Sequence, residues 1–162
     1  MPTLIVLRHA KAEDGFGKAD ADRELTARGR RDAAAAGDWL RTHGHAPGQD
    51  DLPGLVLCSP AVRTRQTVAE LGLDTAVRYE PLIYGNDAEE LLGLVREVGD
   101  EVAAVLLVGH NPSVHQLVHD LVPNAAPPGF PTCALAIIAV PDAWSAVRPG
   151  IGDLVAYHDP KS

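Results

Sequence analysis

Three short stretches of this sequence carry side chains that could do chemistry together: Arg8-His9, Ser59-Pro60-Ala61-Val62-Arg63 and Gly109-His110-Asn111. Each follows directly on an apolar run, Thr3–Leu7, Leu55–Cys58 and Ala103–Val108. Continuous apolar runs of this kind read as strands buried on both faces, the habit of parallel sheets. In open α/β sheets the reactive groups collect beyond the carboxyl ends of the strands. If the three strands are neighbours, two arginines and two histidines meet at one edge. That set suits phosphoryl transfer. Arginine forks match phosphoryl oxygens, a neutral imidazole can attack phosphorus, and fixed positive charge faces an anionic transition state. Taken alone, Arg8-His9 reads equally well as a strand ending in ordinary surface charge, and the two later stretches move the balance.

The elements that must position these residues alternate along the chain. Ala12–Asp22 reads as a loop beside the first strand. Thr26 reads as the N-cap of a helix reaching Leu40–Thr42, with Ala33–Ala36 and Trp39-Leu40 on its apolar side. His45–Pro53 is polar and reads as a loop. Ser59-Pro60 suggests the start of a helix that ends at Leu71-Gly72, with glycine as the left-handed stop. Arg63 would lie in its first turn, where exposed N–H groups favour anions. Ala76–Tyr79 reads as a weaker strand, and Asp87-Ala88-Glu89-Glu90 has the spacing of a capping box before a helix through Val98. Ser113–Leu121 reads as a helix, Pro123–Pro131 as a break, Cys133–Val140 as a long strand and Leu154–Tyr157 as an edge strand. The expectation is a three-layer α/β/α sandwich with a mostly parallel central sheet, a single domain over 1–162.

Composition narrows the function classes. The formal net charge of −8 argues against general nucleic-acid binding, which needs clustered positive charge. No run approaches the ~20 apolar residues of a membrane span, and the N-terminus lacks the basic start of a secretory signal. The two cysteines, Cys58 and Cys133, sit in apolar runs and are expected as buried thiols rather than a disulfide or metal site. A cytoplasmic location is expected.

Four motifs in order, Leu7-Arg8-His9-Ala10, Leu25-Thr26-Ala27-Arg28-Gly29, Ser59-Pro60 with Arg63 and Gln66-Thr67, and Gly109-His110-Asn111-Pro112, resemble the histidine phosphatase superfamily. This is the phosphoglycerate mutase-like fold, and within it the chain looks most like the small SixA-type phosphohistidine phosphatases. The resemblance implies that His9 is the nucleophile that becomes phosphorylated and that Arg8 and Arg63 hold the phosphoryl oxygens. His110 would stabilise the transition state, with Asn111 beside it in the phosphate-binding set. It implies no metal and no organic cofactor. One departure is Ala10, where the family signature has glycine, so the loop must hold a conformation alanine tolerates. The implied partner is a phosphorylated substrate, a histidine-phosphorylated protein being the leading class.

The larger members of the family take a proton-donating carboxylate from the segment between the positions of Arg63 and His110. Glu80 and Asp87 are the candidates here, although Asp87, with Glu89 and Glu90, is also explained by helix capping. A missing strong acid fits phosphohistidine, whose imidazole leaving group can depart already protonated. His115 and His119, four apart on a helix, could be metal ligands but read better as ordinary helix-surface residues, since Gln116 stands where a glutamate is usual. His43 and His45 flank Gly44 at a helix end. Lys11 and Lys18 either raise the local positive potential or are plain surface lysines. Two rivals stand beside the phosphohistidine reading: a small-molecule phosphomonoesterase of the same superfamily, and a non-catalytic phosphoryl-binding module. An open cleft is expected, because the segment after Arg63 is short.

Overall fold

The computed structural model describes residues 2–43 and 53–161. His45 and most of the expected loop at 45–53 lie outside the described residues. Six strands form one sheet in the order β3-β2-β4-β1-β5-β6: β1 (Thr3–Arg8), β2 (Leu55–Cys58), β3 (Val77–Tyr79), β4 (Ala104–Gly109), β5 (Leu135–Ala139) and β6 (Asp153–His158). The first four are parallel, and β5 and β6 each run antiparallel to their inner neighbour. The sheet is therefore mixed, with its parallel part holding all three of the strands singled out above.

Alternation along the strands divides the core in two. Ile5, Leu7, Val56, Cys58, Leu106 and Val108 face α1 (Ala27–His43) and α2 (Val62–Leu71). Leu4, Val6, Leu55, Leu57, Val105 and Leu107 face α4 (Ala88–Arg96) and α5 (Ser113–Leu121). A fully buried strand needs apolar residues at every position, and Leu4 to Leu7 are without exposure. At about 1.5–3 kcal/mol for each buried aliphatic side chain, this central strand contributes heavily to the stability of both layers. Among the described residues no helix is long and apolar enough to cross a membrane.

Several boundaries differ from expectation for local reasons. The helix after β2 begins at Val62, not at Ser59-Pro60, because Ala61 is non-helical (ψ 147°) and stands as the N-cap, while Ser59 Oγ accepts from Ala61 N–H (3.3 Å) and pairs with His110 Nε2 (2.8 Å). Strand β5 begins two residues after Cys133, whose φ of 63° puts it in the left-handed region. A short helix, α3 (Pro81–Tyr84), was not expected. Asp87 is the N-cap of α4, but its carboxylate accepts from Glu89 N–H (2.9 Å) and not from the Glu90 N–H that a capping box would use. Gly72 ends α2 at φ 71°, as its residue type suggests.

The approach of α1 to the loop after β1 is set by Thr26 and Gly29. Thr26 donates its N–H (2.9 Å) and its hydroxyl (3.2 Å) to the Lys11 carbonyl, and its Oγ1 accepts from Gly29 N–H (3.0 Å). A Cβ on Gly29 would fall on that same Lys11 carbonyl, so only glycine permits the contact. Gly29→Ala should destabilise the protein by about 1–3 kcal/mol, even though alanine is the better helix former by about 1 kcal/mol. Urea unfolding measures this, and a variant as stable as the parent would show that α1 can step back freely.

Candidate active site

The carboxyl ends of β2, β4 and β1 are level. Cys58 and Leu7 both pair with Val108, and Arg8 pairs with Gly109. The ladder then runs one step past the strands, through His9 N–H to Gly109 O (3.1 Å) and Ser59 N–H to Val108 O (3.2 Å). His9, Ser59 and His110 thus leave the sheet side by side, and the two imidazole centroids lie 5.4 Å apart.

His9 is only 7% exposed. Its Nδ1 lies 2.7 Å from the Ala10 carbonyl oxygen, which can only accept. Nδ1 therefore carries the proton, and the lone pair is on Nε2, which has no protein partner among the described residues. Burial pushes the imidazole pKa down to about 3, opposed in part by the Ala10 hydrogen bond and reinforced by His110, Arg63 and Arg8. The ring is neutral at physiological pH, the state a nucleophile needs. Ala10 itself is buried and lies outside the left-handed region, so alanine is tolerated where the family signature has glycine. Its N–H donates to Thr67 Oγ1 (3.0 Å), whose hydroxyl donates to the Arg63 carbonyl (2.7 Å). Thr67 so ties the His9 loop to the helix that carries Arg63. Gln66, the residue before it, ties the same helix to the segment before α1, accepting from Leu25 N–H at 2.8 Å.

His110 is 5% exposed, and burial, followed by the charge of Arg63, pushes its pKa down to about 4. Its Nε2 lies 2.8 Å from Ser59 Oγ. Ser59 is fully buried, and Nε2 is the acceptor its hydroxyl hydrogen can reach, so Ser59 donates to Nε2. The proton of His110 is then on Nδ1, a buried donor without a partner.

The arginines are held by their terminal nitrogens. Arg8 Nη1 donates to the Phe130 carbonyl (3.1 Å), which also accepts from Asn111 Nδ2 (2.9 Å). Arg63 Nη1 donates to the Asp20 carbonyl (2.8 Å) and Nη2 to Asp20 Oδ2 (3.1 Å). Tyr84 donates its hydroxyl to the same Oδ2 (2.7 Å) while its ring stands edge-on to His110. The Tyr84 hydrogen bond first, then Arg63, holds the Asp20 carboxyl down to about 2, so it is charged. Asn86, at φ 65°, braces the third stretch by donating to the Asn111 carbonyl (2.8 Å) and accepting from Ser113 N–H (3.0 Å).

Buried polar atoms without partners are rare and costly, about 1–3 kcal/mol each. Of the six such side-chain atoms among the described residues, four belong here: Arg8 Nε, Arg63 Nε, His110 Nδ1 and Asn111 Oδ1. Three are donors gathered about a neutral imidazole, which is the arrangement of an oxyanion site.

The other candidates separate from this cluster. Asp87 is exposed and occupied as the cap of α4, and Glu80 is half-buried at the start of α3 with its N–H on the Cys58 carbonyl. Neither carboxylate is hydrogen-bonded to His9, His110, Arg8 or Arg63. His115 Nε2–H donates to the Pro127 carbonyl (2.9 Å) and its ring stacks on Phe130, with His119 alongside. Lys18 is paired with Glu13 (2.8 Å) and Glu24 (3.0 Å) at the surface. Trp39 stacks between His43 and His158, and Trp144 is buried with its N–H on the Val102 carbonyl. Both cysteines are buried free thiols, pushed up to about 12 by burial. Asp20 and Tyr84 were missed in the sequence. Asn86, beside Gly85, carried a readable turn signal.

The match to known proteins agrees with this geometry. Residues 4–103 fit the model of the histidine phosphatase superfamily (branch 1). A Mycobacterium tuberculosis protein of unassigned activity is 38% identical over 96% of this chain and 100% of its own length. Escherichia coli phosphohistidine phosphatase SixA is 30% identical over 86% of each chain. A Nakamurella multipartitia structure assigned as a phosphohistidine phosphatase SixA superposes with a TM-score of 0.87 at 31% identity, covering 99% of this chain and 97% of that one. With its fold, its four motifs and these relatives in agreement, the chain belongs to the histidine phosphatase superfamily.

Proposed function

We propose that the protein is a metal-independent phosphatase that removes a phosphoryl group from protein phosphohistidine through a phosphohistidine intermediate on His9. The observation that carries the reading is a neutral His9 with an unoccupied Nε2 beside the buried, unpartnered donors of Arg8, Arg63 and His110. In the first step the Nε2 lone pair forms a bond to phosphorus as the bond to the leaving nitrogen breaks. The leaving imidazole takes its electron pair and needs no strong acid when it is already protonated. In the second step water attacks phosphorus, the Nε2–P bond breaks, and the water proton leaves with inorganic phosphate or solvent. The guanidinium groups and His110 Nδ1–H face the charge that grows on the phosphoryl oxygens. Asp87 is committed to its helix cap, which supports chemistry without a strong acid.

His9→Ala should abolish turnover in a folded protein, and label from a phosphorylated substrate should be trapped on His9 after an alkaline quench. In a leaving-group series, phosphohistidine and aryl phosphates should outpace alkyl phosphates, with Glu80→Gln and Asp87→Asn costing little. Equal rates on alkyl esters, lost in one of those variants alone, would identify a general acid and a small-molecule phosphomonoesterase.

Arg63→Lys keeps the charge and loses the fork, so kcat/KM should fall by the equivalent of on the order of 2–4 kcal/mol. A loss below about tenfold would assign Arg63 to loop anchoring alone.

Because the His9 pKa is depressed from 6.5 to about 3, the folded protein should hold this imidazole neutral from pH 8 down to 5. Histidine-labelled NMR should show its shift flat over that range, and a midpoint near 6.5 would refute the buried nucleophile. The unfolded chain takes up this proton near pH 6.5 and the folded chain does not. Unfolding free energy should therefore decline as pH falls from about 6.5 toward 3.

A further inference from the structure

Adjoining the candidate active site is a cavity of about 300 Å³ whose lining includes Arg8, Lys11, Arg28, Lys161 and Thr132, and no carboxylate among the described residues. The chain as a whole is acidic, with 22 aspartates and glutamates against 14 lysines and arginines, so four cations around one cavity reverse the overall balance. They come from distant parts of the sequence: the end of β1, the loop after it, the first turn of α1 and the segment after β6. The fold holds them there. Arg8 is fixed by the Phe130 carbonyl, and the Lys11 backbone by Thr26. In the segment bearing Lys161, its N–H closes a local turn on Asp159 Oδ1 (2.8 Å).

Among the described residues little neutralises these charges. Arg28 reaches Asp32 at 3.6 Å with its side chain more than half exposed, a pair of small worth, and Lys11 makes no ion pair among the described residues. Like charges lining one cavity repel each other, and an anion placed among them relieves that repulsion. Arg8 belongs to both places, since it lines this cavity and directly precedes His9. A volume of about 300 Å³ is at the small end for a ligand site, enough for a headgroup and a few attached atoms.

We propose that this cavity is a subsite for a second anionic group, a carboxylate or phosphoryl, on the same substrate that presents its phosphoryl group to His9. The proposal rests on the reading of Arg8 and His9 as a phosphoryl-transfer site. It makes the protein selective for phosphoryl donors with a neighbouring negative charge. That charge has two sources, an acidic residue beside a phosphohistidine or a second acid group on a small phosphate ester.

The test uses the full chain and two matched pairs of substrates: phosphohistidine peptides flanked by Glu or by Gln, and phenyl phosphate against its carboxyphenyl isomers. The wild type should favour the anionic member of at least one pair by about tenfold in kcat/KM, mainly through KM. The pair that shows the preference identifies the source. Lys11→Gln combined with Arg28→Gln should remove most of that preference, and Lys11→Arg combined with Arg28→Lys should retain it. Absence of preference in both pairs, or a preference that survives the neutralised variant, would overturn the subsite. Turnover persisting in His9→Ala would instead overturn the phosphoryl-transfer reading beneath it, so the two failures are distinct.

Discussion

Everything at this site depends on one continuation of the sheet: the ladder between β2, β4 and β1 runs a residue beyond the strands. His9 N–H on the Gly109 carbonyl and Ser59 N–H on the Val108 carbonyl put two loop-forming residues in strand register, with His110 directly after the last residue of β4. Side chains that begin a loop inherit the precision of the sheet beneath them. That precision is underwritten by burial, because a one-residue slip of β1 would turn Ile5 and Leu7 to the wrong helical layer. The alignment of the two imidazoles is thus a by-product of packing two apolar faces.

A second constraint is the management of charge in a dry place. Burial makes a cationic imidazole expensive, so both histidines stay neutral, and their tautomers follow from their neighbours: the Ala10 carbonyl can only accept, and the buried Ser59 hydroxyl, which already accepts from Ala61 N–H, has its proton left to give to His110. The arginines cannot lose their charge, and the structure answers with carbonyl oxygens and one carboxylate on their terminal nitrogens. What is left unpaired points to what the site is built to receive.

Much of this was legible in the sequence, and the limits have physical causes. Apolar runs located β1, β2 and β4 because a doubly buried strand has no polar positions to confuse the reading. Arg8, His9, Arg63, His110 and Asn111 follow from where those runs end. The start of α2 was misplaced because the chain stays extended through Ala61 (ψ 147°), holding Ser59 where its hydroxyl meets His110, 51 residues away, and that distant pairing has no local signature. Asp20 was invisible for the same kind of reason. Its partner Arg63 is 43 residues distant, and an acidic residue in a charged loop has no local signature. The antiparallel turn of β5 and β6 likewise depends on pairing partners rather than on composition.

The Asp20 carboxylate gives the site a resident counter-ion. Arg63 already has an anion on one terminal nitrogen and a carbonyl on the other, held in place from the far side by Tyr84. An arriving ligand competes with that tethered carboxylate for the guanidinium instead of meeting a bare cation. A tetrahedral dianion can address the Nε donors of both arginines and the Nδ1 donor of His110 at once. Asp20 thus takes up the terminal nitrogens of Arg63, and Nε is the donor left for a multidentate anion.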